Sequence, residues 1–205
     1  MHKEKLLEQL ARQIIRCKLC RLYRTRHYAV PGVGDSNAQI CFVGEGPGYN
    51  EDQQGKPFVG RAGDLLEMLL RSIGTRREKV WISNVVKCRP PENRNPMVDE
   101  VRTCKAFLIE QLKAIGPKMI IPLGRYALEH FLPDGKISRD HGKPFYVSGK
   151  IIYPLYHPAA ALRSEKVLLQ LKAEFRRIPA ILKMDKSEMK VVGKKKDDEN
   201  QMSLI

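Results

Sequence analysis

The sequence predicts one α/β domain, a four-stranded parallel sheet with helices packed on both faces. Three observations predict it. Short apolar segments that favour strands lie at residues 39–44, 80–86, 118–124 and 151–156. Helical patterns at 61–73, 96–115 and 125–131 separate them, and a parallel sheet needs such a crossover between neighbouring strands. The length, 205 residues, suffices for one core of this kind and is short for two.

In chain order, Leu6, Leu7, Leu10 and Ile14 recur at spacings of three and four, so residues 3–16 form an amphipathic helix. This segment has no apolar h-region and no small-residue cleavage site, and is not a signal peptide. No apolar run reaches membrane-spanning length, so a cytoplasmic protein without a membrane partner is expected. The first strand, QICFVGE, carries Cys41 as a small buried hydrophobe. The second places Asn84 near its end, in WISNVVKCRPP. A hairpin, FYVSGKII, turns at Ser148-Gly149 and leads into the fourth strand, which runs into YHPAAALR. The last helix covers 165–182, with Pro179 as an alternative, earlier end. Residues 183–205 are polar, contain KKKDDEN and lack an apolar period, so a domain over 1–182 and a disordered tail are expected.

The net charge is +14, of which residues 183–205 carry only +1. The basic charge therefore belongs to the folded body, and it points to a polyanionic partner, nucleic acid before others. RNA, a membrane surface or the solubility charge of a thermophilic protein are the competing readings.

In a doubly wound sheet, ligands bind beyond the carboxyl ends of the strands. GEGPGYNED, Asn84 and YHPAAALR should therefore meet on one edge. The turn Gly44-Glu45-Gly46-Pro47-Gly48 is no dinucleotide fingerprint, since its glycines alternate, Pro47 interrupts and no ribose-binding acid follows the next strand. Nor is it a phosphate loop, because Pro57 follows Lys56 where Ser or Thr belongs. With Glu51 and Asp52 close by, it suits a small neutral ligand. Phe58, in KPFVG, is either a stacking platform for a base or a buried loop anchor. Asn84, inside an apolar strand, either pairs with backbone or reads a pyrimidine edge with its donor and acceptor. His157 is structural or catalytic, and its place at a strand end opposite acids gives the two readings equal weight.

Five cysteines argue against a disulfide framework. Cys17 and Cys20 are separated by two residues, Cys88 and Cys104 by fifteen. The long gap suits zinc poorly, whereas cluster ligands come from distant loops. Spacing alone leaves metal and cluster both open.

In their order, GEGPGYNEDQQGKPFVGRAG, SNVVKCRPPENRNP, the four cysteines and HPAAALR resemble the family 4 uracil-DNA glycosylases of archaea and thermophilic bacteria, over about residues 10–180. The resemblance implies the three-layer fold of those enzymes and a monomeric, monofunctional hydrolase that excises uracil from single- and double-stranded DNA to start base excision repair. It implies a 4Fe–4S cluster on Cys17, Cys20, Cys88 and Cys104, structural in role. Uracil would stack on Phe58, with Asn84 at its polar edge, His157 at O2 and Glu51 near C5. Glu45, Gly46 and Gly48 would line the remaining wall. Glu45, Glu51 and His157 are the implied catalytic set, while Leu162 and Arg163 would face DNA, Leu162 as a wedge. Better-known uracil glycosylases carry a water-engaging aspartate where Gly46 stands, so either Glu45 or Glu51 substitutes for it or the water needs no strong base. The terminal residues 201–205 resemble the start of a sliding-clamp peptide without its aromatic pair. A non-catalytic, redox-sensing nucleic-acid module would have no need of Glu45, Glu51, Asn84 and His157 together at strand ends.

Overall fold

The computed structural model describes residues 2–192. In chain order these form α1 (His2–Arg16), β1 (Val33–Gly34), β2 (Ile40–Gly44), α2 (Tyr49–Gln54), α3 (Arg61–Ser72), β3 (Trp81–Asn84), α4 (Val98–Ile115), β4 (Met119–Pro122), α5 (Arg125–Phe131), α6 (Ile137–Asp140), β5 (Phe145–Val147), β6 (Lys150–Ile152), α7 (Pro158–Ala161), α8 (Glu165–Ile181) and β7 (Lys190–Val191).

The expected four strands pair in parallel, β3-β2-β4-β6. Their side chains alternate between two cores, as strand geometry requires. Phe42, Ile82, Ile121 and Ile151 pack with the leucines of α3 and the apolar stripe of α8. Cys41, Val43, Trp81, Ile120 and Ile152 meet α1, α4 and α5 on the other face. The result is three layers. Gly116, left-handed at φ 66, closes α4 by donating its N–H to Leu112. Ser148 and Gly149, at φ 46 and 84, make the tight hairpin turn between β5 and β6.

Among the described residues the sheet has seven strands. β5 pairs antiparallel with β6 as the expected hairpin, while β1, antiparallel to β3, and β7, parallel to β5, widen the sheet beyond expectation. Strands of two or three residues carry no readable period. Helix α8 runs through Pro179 to Ile181, within one residue of the expected end, because Ile178 and Ile181 are buried and hold the last turn in the core. One other expectation needs correction. The stretch expected to be a tail from residue 183 is packed as far as 192: Met189 is buried, Met184 is packed against the same core, and β7 extends the sheet. The apolar Met and Val residues spaced among its lysines do this. The KKKDDEN run and the clamp-like residues 201–205 lie outside the described residues.

The strand order reverses at β2, since β3 lies on one side of it and β4 on the other. A crevice is expected beyond the carboxyl ends there.

Candidate active site and cysteine-lined cavity

A hollow of about 1000 Å³, counted with its open mouth, occupies that crevice. Glu45, Gly46, Gly48, Glu51, Phe58, Asn84, His157 and Arg163 all line it. Of the residues singled out in the sequence for base or DNA contact, only Leu162 is outside this lining. It sits exposed just after α7.

Asn84 ends β3 almost wholly buried, and its Oδ1 has no hydrogen-bond partner among the described residues. Buried polar atoms are seldom left so, and the exception demands a ligand or a water. Gly44, paired with Asn84 across β2 and β3, makes the room. A methyl group there would come within 2.4 Å of Asn84 Oδ1 and 2.9 Å of the Phe58 ring.

Phe58 is held in a left-handed backbone, φ 52, which costs a non-glycine residue free energy unless its surroundings enforce it. They do. Arg77 donates to the carbonyls of Pro57 and Phe58 at 2.6 and 2.7 Å. Gly63 lies so close to the Phe58 carbonyl that a Cβ would sit 1.9 Å away. Glu51 accepts from the backbone N–H groups of Val59 and Gly60 at 3.0 and 3.2 Å, and from Gly48 at 3.0 Å. Both its oxygens are thereby engaged, and Glu51 braces the glycine turn against the Phe58 loop. Asp52, next in α2, is buried and accepts the His27 N–H with both oxygens, at 2.9 and 3.1 Å. The two neighbouring acids thus tie the turn to different loops.

His157 stacks beside Phe58, ring centroids 5.5 Å apart. Its Nδ1 accepts the Ala159 N–H at 3.1 Å, which puts the ring proton of the neutral form on Nε2. Burial pulls its pKa down to about 4, against the opposing charge of Glu51. Near neutral pH the ring is an uncharged donor. Glu45 differs from Glu51: its carboxylate has no hydrogen-bond partner among the described residues. Burial raises it to about 7, the Arg125 charge opposing and Glu129 assisting.

The loop after β3 also contributes Pro90, Asn93, Arg94 and Asn95 to the hollow. The sequence motif SNVVKCRPPENRNP contains them, but nothing in their spacing assigned them to it. Arg94 is locked by a two-pronged bond to Glu100 at 2.9 and 2.6 Å, and that bond holds the Glu100 carboxyl below its usual range.

Cys17, Cys20, Cys88 and Cys104 surround one cavity of about 300 Å³, counted with its mouth. Cys17 follows α1, Cys20 precedes a short turn at Arg21–Arg24, Cys88 follows β3 and Cys104 lies on α4. Arg26 Nη1 donates to Cys88 Sγ at 2.9 Å, and the Lys87 N–H to Cys104 Sγ at 3.3 Å. Burial raises the thiols of Cys20, Cys88 and Cys104, the last to about 12. No three His, Cys, Asp or Glu side chains among the described residues are gathered tightly enough for a single metal ion. Cys41 sits apart in β2, fully buried, where burial raises its thiol.

The family model of the uracil DNA glycosylase superfamily matches residues 31–182. A type-4 uracil-DNA glycosylase of Archaeoglobus fulgidus is 45% identical over 181 residues, covering 84% of this chain and 91% of its own. One from Thermotoga maritima is 46% identical over 166 residues, covering 79% and 86%. A type-5 uracil-DNA glycosylase of Pyrobaculum aerophilum matches less, 31% over 148 residues, covering 63% and 65%. The chain therefore belongs to the type-4 uracil-DNA glycosylases of that superfamily.

Proposed function

We propose that this chain removes uracil from DNA by hydrolysing the N1–C1′ bond, leaving an abasic site and an uncut strand. The observation that carries the reading is the unpartnered Asn84 Oδ1, buried in the hollow that Phe58 and His157 line. A flipped uracil stacks on Phe58 and gives its N3–H to Asn84 Oδ1, while the Asn84 amide donates to O4. Cytosine offers a lone pair at N3 and an amino group at C4, and so mismatches both contacts. Glu51, fixed by three amides, forms the wall against a C5 methyl. His157 Nε2–H donates to O2, where negative charge grows as the bond breaks. The cations lining the hollow are Arg94 and Arg163, and neither is an amine that could form a Schiff base. Arg163 holds the phosphate backbone, and Leu162 enters the gap left in the stack.

The proton from water goes to Glu45 rather than Glu51. Glu51 has both oxygens bound to backbone, whereas Glu45 is unengaged and half-ionised near pH 7, where a general base works best. The Glu45 anion also offsets the positive sugar. Excision should therefore rise with pH between about 6 and 8, as Glu45 loses its proton. Glu45→Gln should abolish that step and cost about 10²-fold in rate; an unchanged pH profile would give the role to another group.

The test of the whole reading is release of free uracil from a uracil-containing oligonucleotide, faster from single strands and G:U mispairs than from A:U pairs. An oligonucleotide left intact by iron-loaded protein sinks it.

Cys17, Cys20, Cys88 and Cys104 would hold one 4Fe–4S cluster. Four thiols around one cavity, two buried and two half-buried, with donors aimed at two sulfurs, suit a group larger than one ion and carrying negative charge. Such a cluster would tie α1, the loop after it and α4 together beside the hollow, and would take no part in hydrolysis. A brown protein with broad thiolate-to-iron absorbance is expected; a colourless one with stoichiometric zinc refutes it.

A further inference from the structure

Lys87 is an unusual residue to find fully buried, and it lies between the two sites, three residues after Asn84 and one before Cys88. Its Nζ donates to Ser83 Oγ at 2.6 Å, to the Asn84 carbonyl at 2.8 Å and to Gln111 Oε1 at 2.8 Å. All three ammonium protons are thus placed, yet every acceptor is neutral. Among the described residues no carboxylate pairs with it, and Lys87 lines the same cavity as Cys17, Cys20, Cys88 and Cys104. A buried ammonium without a counter-charge is strongly unfavourable. The same residue's backbone N–H donates to Cys104 Sγ.

We propose that Lys87 is a positioning residue that couples the two sites: its ammonium is the counter-charge of the thiolate-bound cluster and, through the Asn84 carbonyl, fixes the base-reading end of β3. The inference rests on the cluster reading above. Gln111, which also donates to the Pro31 carbonyl at 2.7 Å, anchors the ammonium to α4, the helix that carries Cys104. A cluster on four thiolates is anionic and becomes more so on reduction. A fixed cation beside it therefore raises its reduction potential, and loss of that cation lowers it.

The experiment compares Lys87→Met and Gln111→Glu with wild type, each as iron-loaded protein. In Lys87→Met the reduction potential should fall, and iron should leave to a chelator about ten- to a hundredfold faster. Uracil excision should weaken mainly through KM, because Asn84 loses its tether. Gln111→Glu keeps the ammonium and its bond to Asn84 but cancels its charge. There the potential should fall while KM stays near wild type, a split that a merely space-filling lysine would not produce. Wild-type potential in both variants overturns the proposal, and so does a fall in Lys87→Met alone. If Lys87→Met does not fold, Gln111→Glu alone decides. Wild-type protein purified without iron overturns the cluster reading itself, and this inference with it.

Discussion

Replacing His157 by alanine is expected to lower kcat for uracil excision by about 10²–10³-fold, the usual loss of a donor aimed at a developing oxyanion. The effect should fall on kcat rather than KM, because O2 carries its full charge only as the bond to the sugar breaks. The ring donates as a neutral imidazole: Nδ1 is occupied by Ala159 N–H, and burial holds the pKa near 4. Above pH 5 the ring keeps one state, so wild-type enzyme should show no acid limb from His157 there. Single-turnover rates from pH 5 to 9, for wild type and His157→Ala, check both points. A variant that loses only affinity would make His157 a packing residue.

Asn84→Asp should reduce uracil excision by about 10²-fold, the loss of a buried hydrogen bond compounded by a carboxyl group in a dry site. It should also narrow the preference for uracil over cytosine. A carboxyl buried beside Phe58 takes up a proton, and then donates to cytosine N3 and accepts from its amino group. The ratio of uracil to cytosine release from matched oligonucleotides reads this directly. An unchanged ratio would mean that Asn84 does not read the base.

Much of the molecule was legible because its signals are local. The apolar runs at 39–44 and 80–86 marked strands buried on both faces, and Gly44, Asn84 and His157 fall at strand ends where a parallel sheet opens a crevice. The pairing of β1 and β7 was not legible, because two residues carry no period and their partners are distant in sequence. Glu45 and Glu51 look alike in the sequence. Only their partners separate them, three backbone amides for one and none for the other. Lys87 was invisible for the same reason: a lysine beside Cys88 reads as surface charge until Ser83 and Gln111 are found around it.

Gly46 has a consequence of a different kind. A Cβ there would lie 2.7 Å from Cγ2 of Val86, a stiff β-branched side chain with no exposed surface and no room to turn aside. Introducing the aspartate of the better-known glycosylases at position 46 therefore collides before it can catalyse. The two positions are therefore coupled, and Gly46→Asp should be harmful alone yet tolerated with Val86→Ala.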